Sequence, residues 1–77
     1  MTKEVIVFTS QLCSYCYVAK DYLSSKGVQY IEKDIETDQE ARLELIQKGI
    51  TAVPVIKIEG ELIVGFDKGR IDELLGL

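Results

Sequence analysis

Apolar residues fall along the chain in short blocks that alternate between two rhythms. Residues 4–8 form a near-continuous β-branched run, which suits a strand covered on both faces. Over about residues 13–26, Cys16, Ala19, Tyr22 and Leu23 recur at three- and four-residue steps and predict a helix, with Gly27 where a left-handed C-cap falls. Residues 29–35 alternate like a strand. Thr37-Asp38-Gln39-Glu40 then has the spacing of a capping box, opening a second helix that Gly49 closes. Two further apolar runs, residues 55–58 and 62–64, flank Glu59-Gly60-Glu61 and read as a tight antiparallel hairpin. Asp67 caps a last helix that carries Ile71, Leu74 and Leu75 on one side. The order is β-α-β-α-β-β-α. It implies an α/β fold in which the first two strands run parallel and the hairpin adds antiparallel partners, a four-stranded mixed sheet with helices on both faces.

A chain of 77 residues has room for one domain, and 47% hydrophobic with 29% charged residues is ordinary globular composition. A domain of this size buries only about 60% of the surface its unfolded chain exposes, so chemistry is expected near the surface. Nine basic against thirteen acidic residues leave a net charge of −4, and the basic residues form no cluster. That balance removes the electrostatic basis for binding nucleic acid or anionic membranes. No apolar run approaches the roughly 20 residues of a spanning helix, and Met1-Thr2-Lys3-Glu4 leads straight into a strand-like run, which together read as a cytoplasmic protein.

With two cysteines and no histidine, sulfur is the reactive element. Cys13 and Cys16 form a Cys-x-x-Cys pair just after the first strand, at the mouth of the first helix. Backbone N–H groups there lack partners and favour negative charge, so Cys13 is expected to act as a thiolate nucleophile. Cys16 lies one turn along on the same face, deeper, and reads as the resolving thiol. Other uses of the pair are weaker. A structural zinc site needs about four ligands, a permanent disulfide closing so short a loop adds little stability, and two unrelated buried cysteines would leave the spacing without a role.

Cys13-Ser14-Tyr15-Cys16, Thr51-Ala52-Val53-Pro54 and Gly65-Phe66-Asp67, in that order, make the whole chain resemble the glutaredoxin family of the thioredoxin fold. The resemblance implies a thiol-disulfide oxidoreductase that works as a monomer on glutathione mixed disulfides and disulfide-containing proteins. It implies a cis Pro54 facing the cysteines, with Ala52 and Val53 offering backbone to an extended substrate. Glutathione, the implied co-substrate, would place its γ-glutamyl carboxylate on the N–H groups at Gly65, Phe66 and Asp67, the Asp67 carboxylate taking the ammonium. Tyr15 would shield the sulfurs, whereas Tyr17, Tyr22 and Tyr30 are expected to pack.

The sequence departs from the family in two ways. Where glutaredoxins commonly carry basic residues for the glycyl carboxylate of glutathione, this chain has Ser10 or Gln11 and Ile50, with Lys48 two residues before the latter. The stretches around Asp34-Ile35, Ala41-Arg42 and Arg70-Ile71 also resemble glutaredoxin-like redoxins that feed ribonucleotide reductase, so the implied electron donor is either the glutathione reductase system or thioredoxin reductase. Ser14 stands where many dithiol members have proline. In some relatives that change accompanies a [2Fe–2S] cluster bridged between two protomers through the first cysteine and glutathione, an alternative to the metal-free enzyme.

Overall fold

The computed structural model describes residues 4–77; Met1, Thr2 and Lys3 ahead of the first strand lie outside the described residues. Seven elements follow in the expected order: β1 (Val5–Thr9), α1 (Ser14–Ser25), β2 (Ile31–Asp34), α2 (Gln39–Gln47), β3 (Val55–Ile58), β4 (Glu61–Val64) and α3 (Lys68–Leu75). The strands lie in the order β2-β1-β3-β4, with β1 parallel to β2 and antiparallel to β3. All five residues of β1 are buried, as a β-branched run in the middle of a two-faced sheet requires.

Alternation along the strands divides the core. Val5, Val7, Ile56, Ile58 and Ile63 point to one face, where they meet Ala19 and Leu23 of α1 and Ile71 of α3. Ile6, Phe8 and Val55 point to the other, against Ala41 and Leu45 of α2. Helices therefore cover both faces. Lys57, alternating with Ile56 and Ile58, reaches Glu44 of α2 at 3.2 Å.

Three boundaries differ from the sequence reading, each for a local reason. The second strand begins at Ile31 rather than residue 29, because Val28 and Tyr30 turn inward onto the core before the ladder opens at Ile6–Ile31. The second helix is capped by Asp38, not Thr37: the Asp38 carboxylate accepts the Ala41 N–H at 3.1 Å, while the Thr37 hydroxyl donates back to the Asp34 carbonyl. In the hairpin, Ile58 pairs directly with Glu61, so the turn is the two residues Glu59 and Gly60, both at positive φ (50° and 88°). That is the twist a two-residue hairpin loop favours.

The expected caps are otherwise present. Gly27 follows α1 at φ 70°, with the Val28 N–H reaching back to the Leu23 carbonyl at 3.0 Å. Asp67 caps α3 by accepting the Arg70 N–H at 3.2 Å. A polar clasp ties α1 to α3: the Tyr22 hydroxyl donates to Asp72, Lys68 donates to the same carboxylate at 2.9 Å, and the Phe66 ring meets Tyr22 edge-on. Donation from Tyr22, then from Lys68, holds the Asp72 carboxyl below the usual carboxylate range.

Candidate active site

β1 delivers its C-terminal end to a short turn in which the Cys13 N–H bonds the Ser10 carbonyl at 3.1 Å. Cys13 is the N-cap of α1, its backbone extended (φ −102°, ψ 109°), and its Sγ accepts the Cys16 N–H at 3.2 Å. The sulfur thus occupies the place that a Ser or Asp oxygen takes at other helix starts. Cys13 is half-buried. Cys16 is fully buried on the stripe that α1 turns to the core with Ala19 and Leu23. Both are free thiols. Burial first, then the hydrogen bond with Cys13, pushes the Cys16 thiol up to about 11, the Ser10 backbone and Thr9 side chain pulling part of the way back.

The proline segment meets the cysteines from across the sheet. The Val53–Pro54 peptide is cis, Pro54 is buried, and the Val53 carbonyl lies 3.6 Å from Cys13 Sγ. The Gly65 N–H donates to the Pro54 carbonyl at 2.7 Å, which ties the end of β4 to the same place and starts the turn through Phe66 into Asp67. Ala52 is exposed beside Val53. Among the described residues, no group accepts from the backbone N–H of Val53, Phe66 or Asp67. The Phe66 side chain itself turns inward onto the core and Tyr22.

A scan against family models matches the glutaredoxin model over residues 5–63, which takes in both cysteines and the Val53–Pro54 peptide. The chain belongs to the glutaredoxin family. It is 39% identical over 80 residues to glutaredoxin 3 of Escherichia coli, covering 94% of this chain and 96% of the relative. It is 35% identical over 71 residues to an uncharacterized glutaredoxin-like 8.6 kDa protein of the rubredoxin operon of Clostridium pasteurianum, covering 90% and 93%. Among solved structures, the glutaredoxin-like NrdH-redoxin of Escherichia coli superposes with a TM-score of 0.86 at 21% identity, covering 92% of this chain and 93% of that one, a likeness of fold. This glutaredoxin-family chain is accordingly a thiol-disulfide redox protein with a Cys-x-x-Cys motif.

Two large apolar side chains beside Cys13 stand in solvent in this glutaredoxin-family protein, among the exposed polar residues Gln11 and Ser14. Leu12 is 91% exposed and Tyr15 66%, on either side of Cys13 in sequence. Tyr22 and Tyr30 pack against the core as expected, but Tyr17 does not: it stands in solvent with the Lys20 ammonium 4.5 Å above its ring. One step past Cys16 on a helix rotates a side chain about 100° off the buried stripe. Of the positions that lack the family's basic residues, Ser10 and Ile50 turn inward and Gln11 is exposed. The Ser10 hydroxyl donates to Glu36 Oε1 at 2.6 Å and Ile50 packs with the α2-side core, while Lys48 is exposed at the C-cap of α2. The sequence reading passed over Glu36 and Leu12. Among the described residues, no group of three or more His, Cys, Asp or Glu is placed to hold a metal ion, and no helix is long and apolar enough to cross a membrane.

Proposed function

We propose that this protein is a dithiol thiol-disulfide oxidoreductase that reduces glutathione mixed disulfides and protein disulfides. The observation that carries the reading is the 3.6 Å approach of the half-buried Cys13 Sγ to the Val53 carbonyl, with Cys16 sealed one helical turn behind. Cys13, as thiolate, attacks one sulfur of the substrate disulfide. The substrate S–S bond breaks, a mixed disulfide with Cys13 forms, and the departing thiolate takes up a proton. Cys16 then gives up its proton and attacks Cys13 Sγ, closing the Cys13–Cys16 disulfide and releasing the second substrate thiol. Two electrons pass from the dithiol to the substrate, and an external thiol donor restores them.

Val53, with an N–H free of partners and its carbonyl at the nucleophile, suits pairing with an extended substrate backbone. The free N–H groups of Phe66 and Asp67 at the start of α3 suit the γ-glutamyl carboxylate of glutathione. Asp67 can take the ammonium with the oxygen that does not cap Arg70.

The second step should carry a pH signature. Cys16 is protonated at neutral pH because its thiol is pushed up to about 11, so the attacking thiolate grows with pH. Once Cys13 is in a mixed disulfide, its own hydrogen bond and charge no longer oppose ionisation, but burial still does. Stopped-flow decay of the Cys13–glutathione adduct should therefore accelerate by up to about tenfold per pH unit from neutrality and level off below about 11. A rate that is flat between about pH 6 and 9 contradicts the assignment of Cys16.

A second reading concerns the electron donor. Ser10 is engaged by Glu36 and Ile50 by the core, so neither position offers a cation to the glycyl carboxylate of glutathione, which favours thioredoxin reductase as the source of electrons. A paired assay on hydroxyethyl disulfide decides between them. NADPH oxidation with glutathione and its reductase upholds the first reading. Turnover with thioredoxin reductase alone selects the second reading, and turnover with neither overturns both.

A further inference from the structure

Between α2, the end of β2 and the segment leading to the cis proline lies a cleft of about 300 Å³. Its walls are apolar: Ile35, Ile46, Ile50 and Ala52. Ile46 is 54% exposed, and so is Leu43, which borders the adjoining hollow one turn earlier on the helix. Arg42 lines both hollows. Its guanidinium makes no ion pair and no hydrogen bond among the described residues, in a chain whose net charge is −4. Bare apolar side chains beside a cation unpaired among the described residues, in a net acidic chain, are complementary to an apolar group followed by a carboxylate.

The position of the cleft says what would bring such groups there. Its lining includes Ile50, Thr51 and Ala52, and the next residue is Val53, whose carbonyl faces Cys13 Sγ. Three residues of extended chain span about 10 Å. A polypeptide that presents a disulfide to Cys13 and runs back along this segment lays its side chains over the cleft about three residues from its own cysteine.

We propose that this cleft is the specificity pocket for protein substrates: it receives an extended segment of the disulfide partner, with an aliphatic side chain among Ile35, Ile46 and Ile50 and an Asp or Glu on Arg42. The proposal rests on Cys13 being the attacking sulfur. It makes the substrate class a disulfide flanked on one side by an aliphatic-acidic pair, and it gives α2, which carries no cysteine, a share in choosing substrates.

The test uses the fully reduced protein and three short peptides, each with one internal disulfide. At about three residues from the cysteine they carry Leu-Glu, Leu-Lys or Ala-Glu and are otherwise identical. The readout is the second-order rate of protein oxidation in a single turnover. The wild type should prefer Leu-Glu over Leu-Lys by about fivefold, the scale of one exposed ion pair. It should prefer Leu-Glu over Ala-Glu by about tenfold, the scale of a part-buried aliphatic side chain. Arg42→Glu should invert the first ratio and leave the second; Ile46→Asp should collapse the second. Each ratio is taken on one preparation, so partial unfolding lowers both rates without inverting either ratio.

Ratios near one in the wild type overturn the proposal. So does an Arg42→Glu protein that loses as much rate on a glutathione mixed disulfide as on the Leu-Glu peptide, which makes the cleft a glutathione carboxylate site. A wild type that elutes as a dimer, with Arg42→Glu eluting as a monomer, makes it a self-association surface and equally overturns it. Hydroxyethyl disulfide, too small to reach the cleft, separates the two readings. If it is not reduced, the role of Cys13 fails; if it is reduced while the peptide ratios stay at one, only the cleft fails.

Discussion

A Cys13→Ser protein reduces no disulfide above the uncatalysed background, while Cys16→Ser keeps part of the activity toward glutathione mixed disulfides. The first loss is total because Cys16, the one thiol left in the sequence, is fully buried and pushed up to about 11. Serine offers an oxygen that ionises far too weakly to replace a thiolate. The second loss is partial because a mixed disulfide on Cys13 can also be opened by a free thiol from solution. With a protein disulfide that rescue is slower, so Cys16→Ser should accumulate a covalent adduct visible as a mass increase. Both variants are measured with hydroxyethyl disulfide and with a protein disulfide. Equal loss in the two would mean that only the dithiol route operates, and activity retained by Cys13→Ser would remove the assignment of the nucleophile.

Phe8→Ala should cost the protein a third or more of its folding stability. Phe8 has no solvent exposure and is a large core side chain between β1 and α2, touching the cluster of Ile6, Ala41, Leu45 and Val55. Removing a buried phenylalanine costs about 3–5 kcal/mol, counting both lost transfer energy and the cavity left behind. A domain of this length is stable by roughly 4–12 kcal/mol in total. Urea denaturation should therefore show a midpoint lowered by a third or more of its value, with little change in slope. Leu43→Ala, on the exposed side of α2, serves as the contrast and should move the midpoint little.

What the sequence made legible follows the range of the interactions involved. The helix that begins at Cys13, the hairpin about Gly60 and the cap at Asp67 are each set by residues within four positions of one another, and all three are present, the hairpin with a loop one residue shorter than the spacing suggests. The layer structure was legible too, since strict alternation in β1 and β3 leaves each side chain one choice of face. The Ser10–Glu36 hydrogen bond was not. Those residues are 26 apart, and only the parallel register that sets Thr9 against Asp34 brings them together. The cleft at Arg42 was equally hidden, because the chain alone does not say which of Leu43, Leu45 and Ile46 the core takes up. The structure buries Leu45 and leaves the other two in solvent. Tyr17 was expected to pack and instead stands one step outside the buried stripe.

The capping of α1 by Cys13 Sγ couples the start of that helix to reducing power. Whatever the amide of Cys16 contributes to holding the sulfur in its reduced form is withdrawn when the two sulfurs join. A firmer grip would make the protein a more reluctant reductant, and a looser one a more willing donor. Substitutions at Ser14 or Tyr15, which share the first turn, are thus changes in driving force as much as in shape.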